Sequence, residues 1–237
     1  MVNLRSLTLA ALFVVAPFPA AAGERRAPNS IEVTAEARVE APANLALLDF
    51  GVTTQADTAA AAARANSERM EAVLAAVRRT LGADARISTG AYSVRPVYAV
   101  QPREGGPPRV TGYEVSNVAH LKTAALTRVG ETIDAAVGAG ANQVQRLAFT
   151  LSDDRAQRRE ALRAAVVEAR EKAQAIAAAL GAAAGAVRWV VEQDVGVVQP
   201  LLRQAMAMRA ESGPPTPVEP GLVEVRARVV MNVEIAR

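Results

Sequence analysis

VTGYEVSNVAHLKTAALTRVGETIDAAVGAGANQVQRLAFTLSDD, from Val110 to Asp154, is the stretch whose reading decides the fold. In its first third Tyr113, Val115, Ala119 and Leu121 share one face, while Glu114, Ser116, His120 and Lys122 share the other. Alternation of this kind is the mark of a strand with one side on a core and one in water. The middle third predicts a short helix, Thr127 to Val137, with Val129, Ile133, Ala136 and Val137 inward. Gly138-Ala139-Gly140 then turns the chain into a second strand, Val144 to Leu151. Ser152, Asp153 and Asp154 supply a hydroxyl cap and two acids at the positive end of a helix that follows.

That helix keeps Leu162, Val166, Ala169, Ala173, Ile176 and Leu180 to one side and stops at Gly181. At about 1.5 Å per residue it spans on the order of 43 Å, enough to cross a whole sheet. The same alternation of strand and helix patterns extends in both directions. Toward the N-terminus, Ile31, Val33, Ala35, Ala37 and Val39 alternate with charged and hydroxyl residues. The turn Ala41-Pro42-Ala43-Asn44 leads to a second strand, Leu45 to Thr53, and the pair reads as an antiparallel hairpin. Asp57 or Thr58 caps a helix that ends at Leu81-Gly82, with Ala63, Asn66, Met70, Val73, Leu74, Val77 and Leu81 inward. Arg86 to Val100 is a strand in which Pro96 removes a donor, so it belongs at an edge or a bulge. The Gly- and Pro-rich link that follows closes a long hairpin with the 110–123 strand. Toward the C-terminus, Val187 to Val198 and the sharply alternating 223–235 segment are the last strands. One-faced alternation predicts an α+β fold: a mainly antiparallel sheet of about seven strands, with two long helices and one short one packed on one face.

Composition narrows the function classes. Arg5 precedes an apolar run, Leu7 to Val15, and an Ala20-Ala21-Ala22 end, which reads as a secretory signal peptide over residues 1–22. Retention of that segment as an anchor is the alternative. Residues 23–30 read as a linker and residues 31–237 as a single domain. No later stretch has the roughly 20 apolar residues a membrane span needs, so the mature chain is expected without an integral span. Cysteine is absent, which excludes disulfides, thiolate catalysis and sulfur-ligated sites built on cysteine. The formal charge is +3, and it is carried by arginines interleaved with acids along helix faces rather than gathered in a stripe. That pattern argues against a nucleic-acid partner.

The search for chemistry returns little. His120 is the sole histidine, and no ligand spacing or nucleophile motif surrounds it. Gly138-Ala139-Gly140 lacks the third glycine of a dinucleotide fingerprint and lies between a helix and a strand, the reverse of the required order. No catalytic, cofactor-binding or metal-binding residue is assigned, and no cofactor is expected. Asn66 is a polar residue on an apolar stripe: either a ligand-binding group or a buried amide bonded to backbone. With Trp189, the single tryptophan, it forms a candidate ligand groove. Met206 and Met208 could ligate Cu(I), serve as oxidation targets or pack on a partner. Two thioethers without a third ligand make a poor copper site. Val198, Leu201, Leu202, Met206 and Met208 are therefore read as a candidate surface for a partner subunit.

Four segments together, IEVTAEARVEAPANLALLDFGVTTQ, TGYEVSNVAHLKT, GAGANQVQRLAFTLSD and PVEPGLVEVRARVVMNVEI, resemble the SIMPL-domain family across the whole presumptive domain. The Ala119-His120-Leu121-Lys122 run departs from the more β-branched run the family pattern leads one to expect. The resemblance implies an α+β, exported periplasmic protein, envelope-associated in some settings, with relatives that form ring-like homo-oligomers and one linked to oxidative-stress defence. It carries no catalytic residues. Gly112, Tyr113, Asn117, Gly140, Ala141, Asn142 and Gln143, at its signature positions, read as structural. The function expected is a non-enzymatic, self-assembling protein that supports envelope integrity or oxidative-stress tolerance. The alternative is a periplasmic module that binds a small ligand or peptide.

Overall fold

The computed structural model describes residues 29–99, 108–198, 216 and 218–236. Its seven strands are β1 (Ser30–Pro42), β2 (Leu45–Ala56), β3 (Arg86–Tyr98), β4 (Val110–Thr123), β5 (Gln143–Thr150), β6 (Ala183–Val198) and β7 (Leu222–Ala236). The helices are α1 (Ala59–Leu81), α2 (Val129–Gly138) and α3 (Arg155–Ala179). All strand pairings are antiparallel, and the class is α+β, as the alternation requires.

The strands form two sheets rather than one. A three-stranded sheet has the order β1-β7-β6, and a four-stranded sheet has the order β3-β4-β2-β5. The hairpin expected of β1 and β2 is absent. β1 instead pairs with β7 along its whole length, from Ser30↔Glu234 to Pro42↔Leu222. β2 is central in the other sheet, between β4 and β5, so both its edges are occupied. Each strand thus completes its ladder with distant sequence, and Ala43 and Asn44 carry the chain across. Asn44 N–H donates to the Thr150 carbonyl at 3.0 Å, and its Oδ1 accepts from Ser152 N–H at 2.7 Å. Ala43, Leu126 and Val218 pack around buried Ala46, Val129 and Phe149 at this crossing. The hairpin of β3 and β4 is present, and β3, which contains Pro96, is an edge strand.

Thr58 caps α1, its Oγ accepting from Ala61 N–H at 3.2 Å. The helices stop at Gly82 and Gly181, at φ of 59° and 69°, where a side chain would be strained. The buried stripe of α1 is Ala62, Asn66, Met70, Val73, Ala76, Val77 and Leu81. With Leu48, Phe50, Val52, Ala119 and Leu121 of β2 and β4 it forms the core of the four-stranded unit.

The inward face of α3 differs from expectation. Its buried residues are Ala161, Ala165, Ala169, Ala173 and Ala177, one every four positions. Leu162 and Val166 are only partly buried, and Ile176 and Leu180 are 43% and 66% exposed. Residues four apart lie on one helix face, and an all-alanine face lets the helix axis approach the sheet closely. The volume between them is filled from the sheet side by Ile31, Val33, Val225, Val229, Met231 and Val233. Ser152 is not the cap either. α3 begins at Arg155, which puts Asp154 in the cap position without a side-chain cap bond, and the Asp153 carboxylate accepts the Arg155 N–H at 3.0 Å.

The Gly140–Gln143 turn is structural, as its sequence suggests. Asn142 Oδ1 accepts from Thr53 N–H and its Nδ2 donates to the Thr53 carbonyl, both at 2.8 Å. The side-chain amide imitates a strand partner and lengthens the β2–β5 ladder by one rung.

Asn44→Ala is predicted to leave the Ser152 N–H without its acceptor at the crossing. Both residues are exposed, so water can take the acceptor's place and the expected cost is about 0.5–1 kcal/mol, read from urea denaturation; an unchanged midpoint would dismiss the role given to this side chain. Ala169→Leu, at the centre of the alanine face, is expected to destabilise by about 1–3 kcal/mol through overpacking.

Candidate functional site

Asn66 and Trp189 do not form a groove. Asn66 is fully buried on α1, and its Nδ2 donates to the Val52 carbonyl at 2.8 Å and the Val115 carbonyl at 3.1 Å. It ties the helix to two neighbouring strands of the four-stranded sheet, so of its two readings the buried amide is the one observed. Trp189 belongs to the other sheet, on β6 opposite Asn232. Val198 ends β6 opposite Glu224. Leu201, Leu202, Met206 and Met208 lie outside the described residues.

The face of the four-stranded sheet turned away from α1 carries a polar row that sequence reading did not assemble. Register places Ser88, His120, Asp49 and Arg146 side by side across β3, β4, β2 and β5. His120 Nδ1 lies 2.7 Å from Asp49 Oδ1, so the carboxylate fixes the ring by its Nδ1 edge. The ring rests on Gly90, at a register shift between Thr89 and Ala91. A Cβ at residue 90 would collide with Nε2, Cδ2 and Cε1 together, which means the ring lies flat over the glycine. A carboxylate and a missing side chain thus clamp one imidazole. Two strands meet here that are 71 residues apart at the bonded pair, and for that reason no local motif signals it. Among the described residues no group of three or more His, Cys, Asp or Glu is placed to hold a metal ion.

The three-stranded sheet has a charged half and an apolar half on its face opposite α3. In the charged half Glu36 accepts from Arg228 at 2.6 Å and from Arg38 at 3.0 Å. Arg38 also meets Glu224, and Arg226 meets Asp194. The Arg228 hydrogen bond, aided by Arg38 and the charge of Arg226, holds the Glu36 carboxyl below its ordinary value against the opposing effect of desolvation. Asp154, bonded to Arg158, and Asp153, bonded to Arg155, are lowered in the same way.

The apolar half lies along β6. Val187, Trp189, Val190 and Val191 are 42%, 41%, 43% and 50% exposed. Trp189 and Val191 stand opposite Asn232 and Val230 on the outer face, whereas Val190 stands opposite Met231 on the α3 face. α3 lies mainly over β1 and β7, and among the described residues β6 has no strand on its far side. An edge strand of 16 residues with large apolar side chains open on both faces is a surface that calls for a partner. A second exposed apolar set, Tyr92, Val94, Tyr98 and Val110, lies on the β3–β4 hairpin.

Comparison with known proteins places this geometry in a family context. The profile of the SIMPL family, described as a protein of unknown function (DUF541), matches residues 31–233. The 26 kDa periplasmic immunogenic proteins of Brucella melitensis and Brucella abortus are each 32% identical over 151 residues. The match takes in 63% of this chain and 60% of each relative, so it spans less than two thirds of their length. Among the described residues no helix is long and apolar enough to cross a membrane.

Two outcomes are predicted. Glu36 has a lower pKa folded than unfolded, so its contribution is present above the unfolded value and is lost as pH falls through the folded one. Stability is therefore expected to decline as pH drops below the ordinary carboxylate range of about 4. Glu36→Gln should flatten that acid limb in denaturation series run from about pH 3 to 7, and an unaltered limb would count against the network. Gly90→Ala should displace the half-exposed ring and weaken its bond to Asp49, at a cost of about 0.5–1.5 kcal/mol read from urea denaturation. In a His120→Ala background the same change should be nearly neutral, a coupling that a double-mutant cycle reads directly.

Proposed function

Because the chain belongs to the SIMPL family, we propose that it is a non-enzymatic periplasmic protein that works by assembling with copies of itself. One observation carries the reading: β6 is a long edge strand whose valines and tryptophan are exposed on both faces. A monomer that kept such an edge in water would be prone to unspecific strand pairing. Burial in an assembly removes that hazard and uses the edge. The periplasmic location is supported by the names of the Brucella relatives and by the leader-like sequence of residues 1–22.

Self-assembly suits a protein whose ordered polar groups are mostly spent on its own fold. Asn66, Asn142 and Asn44 each bond backbone, and the charges of the three-stranded sheet largely pair with one another. Among the described residues the buried Oδ1 atoms of Asn66 and Asn232 and Oε1 of Gln157 have no hydrogen-bond partner, and the surface open to another molecule includes the apolar edge of β6. Support of envelope integrity or of oxidative-stress tolerance is the role proposed for the assembled form, in line with the family resemblance.

The test is the native mass of the protein recovered from the envelope fraction, together with light scattering of the purified chain. The proposal expects a defined mass that is a multiple of the protomer and persists on dilution. A monomeric mass at every concentration would sink it.

A further inference from the structure

We propose that the partner seated on the β6 edge is the β6 edge of a second copy, paired antiparallel about a two-fold axis at Val190. The inference rests on the self-assembly reading and names the surface through which it proceeds.

Register limits where such pairing can occur. β6 follows β7 without interruption in two runs: Asp194 to Val198, opposite Arg228 to Glu224, where Val195 and Val197 pack against the α3 core, and Trp189 to Glu192, opposite Asn232 to Val229. Shifts between Val187 and Trp189 and between Glu192 and Asp194 bend the strand on both sides of that window. Farther along, the Val195 carbonyl is already taken by the Arg158 guanidinium at 2.8 Å. The regular, uncapped part of the edge is thus centred on Val190 and Val191, which are also the valines left in water.

The window is self-complementary. Directly opposed residues of an antiparallel pair share a face. With Val190 on the axis, the two valines meet on the α3 side, and Trp189 of each copy meets Val191 of the other on the outer side. Aromatic and β-branched side chains opposed in this way stabilise a ladder. Charge agrees with the orientation. On the outer face the first half of β6 carries Arg188 and the second half carries Asp194, so an antiparallel copy sets base diagonally toward acid on both sides of the axis. A parallel copy would set like charge beside like charge. Arg188 and Asp194 also have partners within the chain, Glu234 and Arg226. The product is a six-stranded sheet, β1-β7-β6 continued by the second copy's β6-β7-β1, with both α3 helices on one side. The interface is isologous, so it closes on itself as a dimer.

The absence of cysteine makes the test direct. Val190→Cys, introduced as the only thiol in the full chain, is expected to form a disulfide-linked dimer in high yield under mild oxidation. Opposed Cα atoms of an antiparallel pair lie about 4.5–5.5 Å apart, within disulfide reach. Tyr92→Cys on β3, an edge the proposal does not pair with itself, should remain unlinked. Val190→Lys should lower the native mass to that of a smaller species while circular dichroism stays unchanged. If the native mass stays above the protomer but Val190→Cys gives no linked dimer and Val190→Lys leaves the mass unaltered, the β6 pairing is wrong and self-assembly stands by another surface. If the unaltered chain is monomeric, both readings fall.

Discussion

Two residues, Ala43 and Asn44, take the chain from one sheet to the other, and the rest of the architecture is arranged around that step. A crossing between sheets leaves backbone donors and acceptors outside any ladder, to be paired locally or left to water. Asn44 meets the demand with its own N–H to Thr150 and its side-chain oxygen to Ser152. Both partners lie where the chain makes its second crossing, from β5 to α3. The first transit is thereby fastened to the second, and the entry of α3 is fixed relative to β2. With β2 committed to β4 and β5, β1 completes its ladder on β7 in the other sheet.

Local pattern reveals most of the elements and conceals how they pair. The seven strands, the three helices, Thr58 as a cap and the Gly82 and Gly181 stops all follow from alternation, helical spacing and turn chemistry. Division into two sheets does not, because period-two alternation specifies a face and says nothing of the neighbour. Pro42-Ala43-Asn44 resembles a hairpin turn, and the competing ladder lies about two hundred residues away in the sequence. The inward face of α3 is hidden for a different reason. Looking for the largest apolar residues selects Leu162, Ile176 and Leu180, whereas close approach to the sheet selects the smallest. Only Ala169 and Ala173 satisfy both rules. Asn66 shows the reverse: a polar residue on an apolar stripe is conspicuous in sequence, and its two carbonyl partners on separate strands become visible only in the fold.

The candidate surfaces divide along the same line. The His120 clamp unites side chains from β2, β3 and β4, and no spacing in the sequence could announce it. Trp189 and the valines beside it are plain in the sequence as a strand, but which of them the helix could cover is not: Val190 faces the α3 side and is left open because α3 lies mainly over β1 and β7, whereas Trp189 and Val191 face away from the helix.

The pairing of β1 with β7 also bears on how the protein is made. Of the described strands, a ribosome releases β1 first and the fifteen residues of β7 last. The four-stranded unit can close as soon as β5 has emerged, whereas the three-stranded one must wait until β7 has been made. Its first strand spends that interval with apolar Ile31, Val33 and Val39 and no ladder to enter. Contacts of such long range form slowly and leave aggregation-prone intermediates. Loss of β7, by a premature stop or by a protease, would therefore leave the earliest of these strands without its ladder as well.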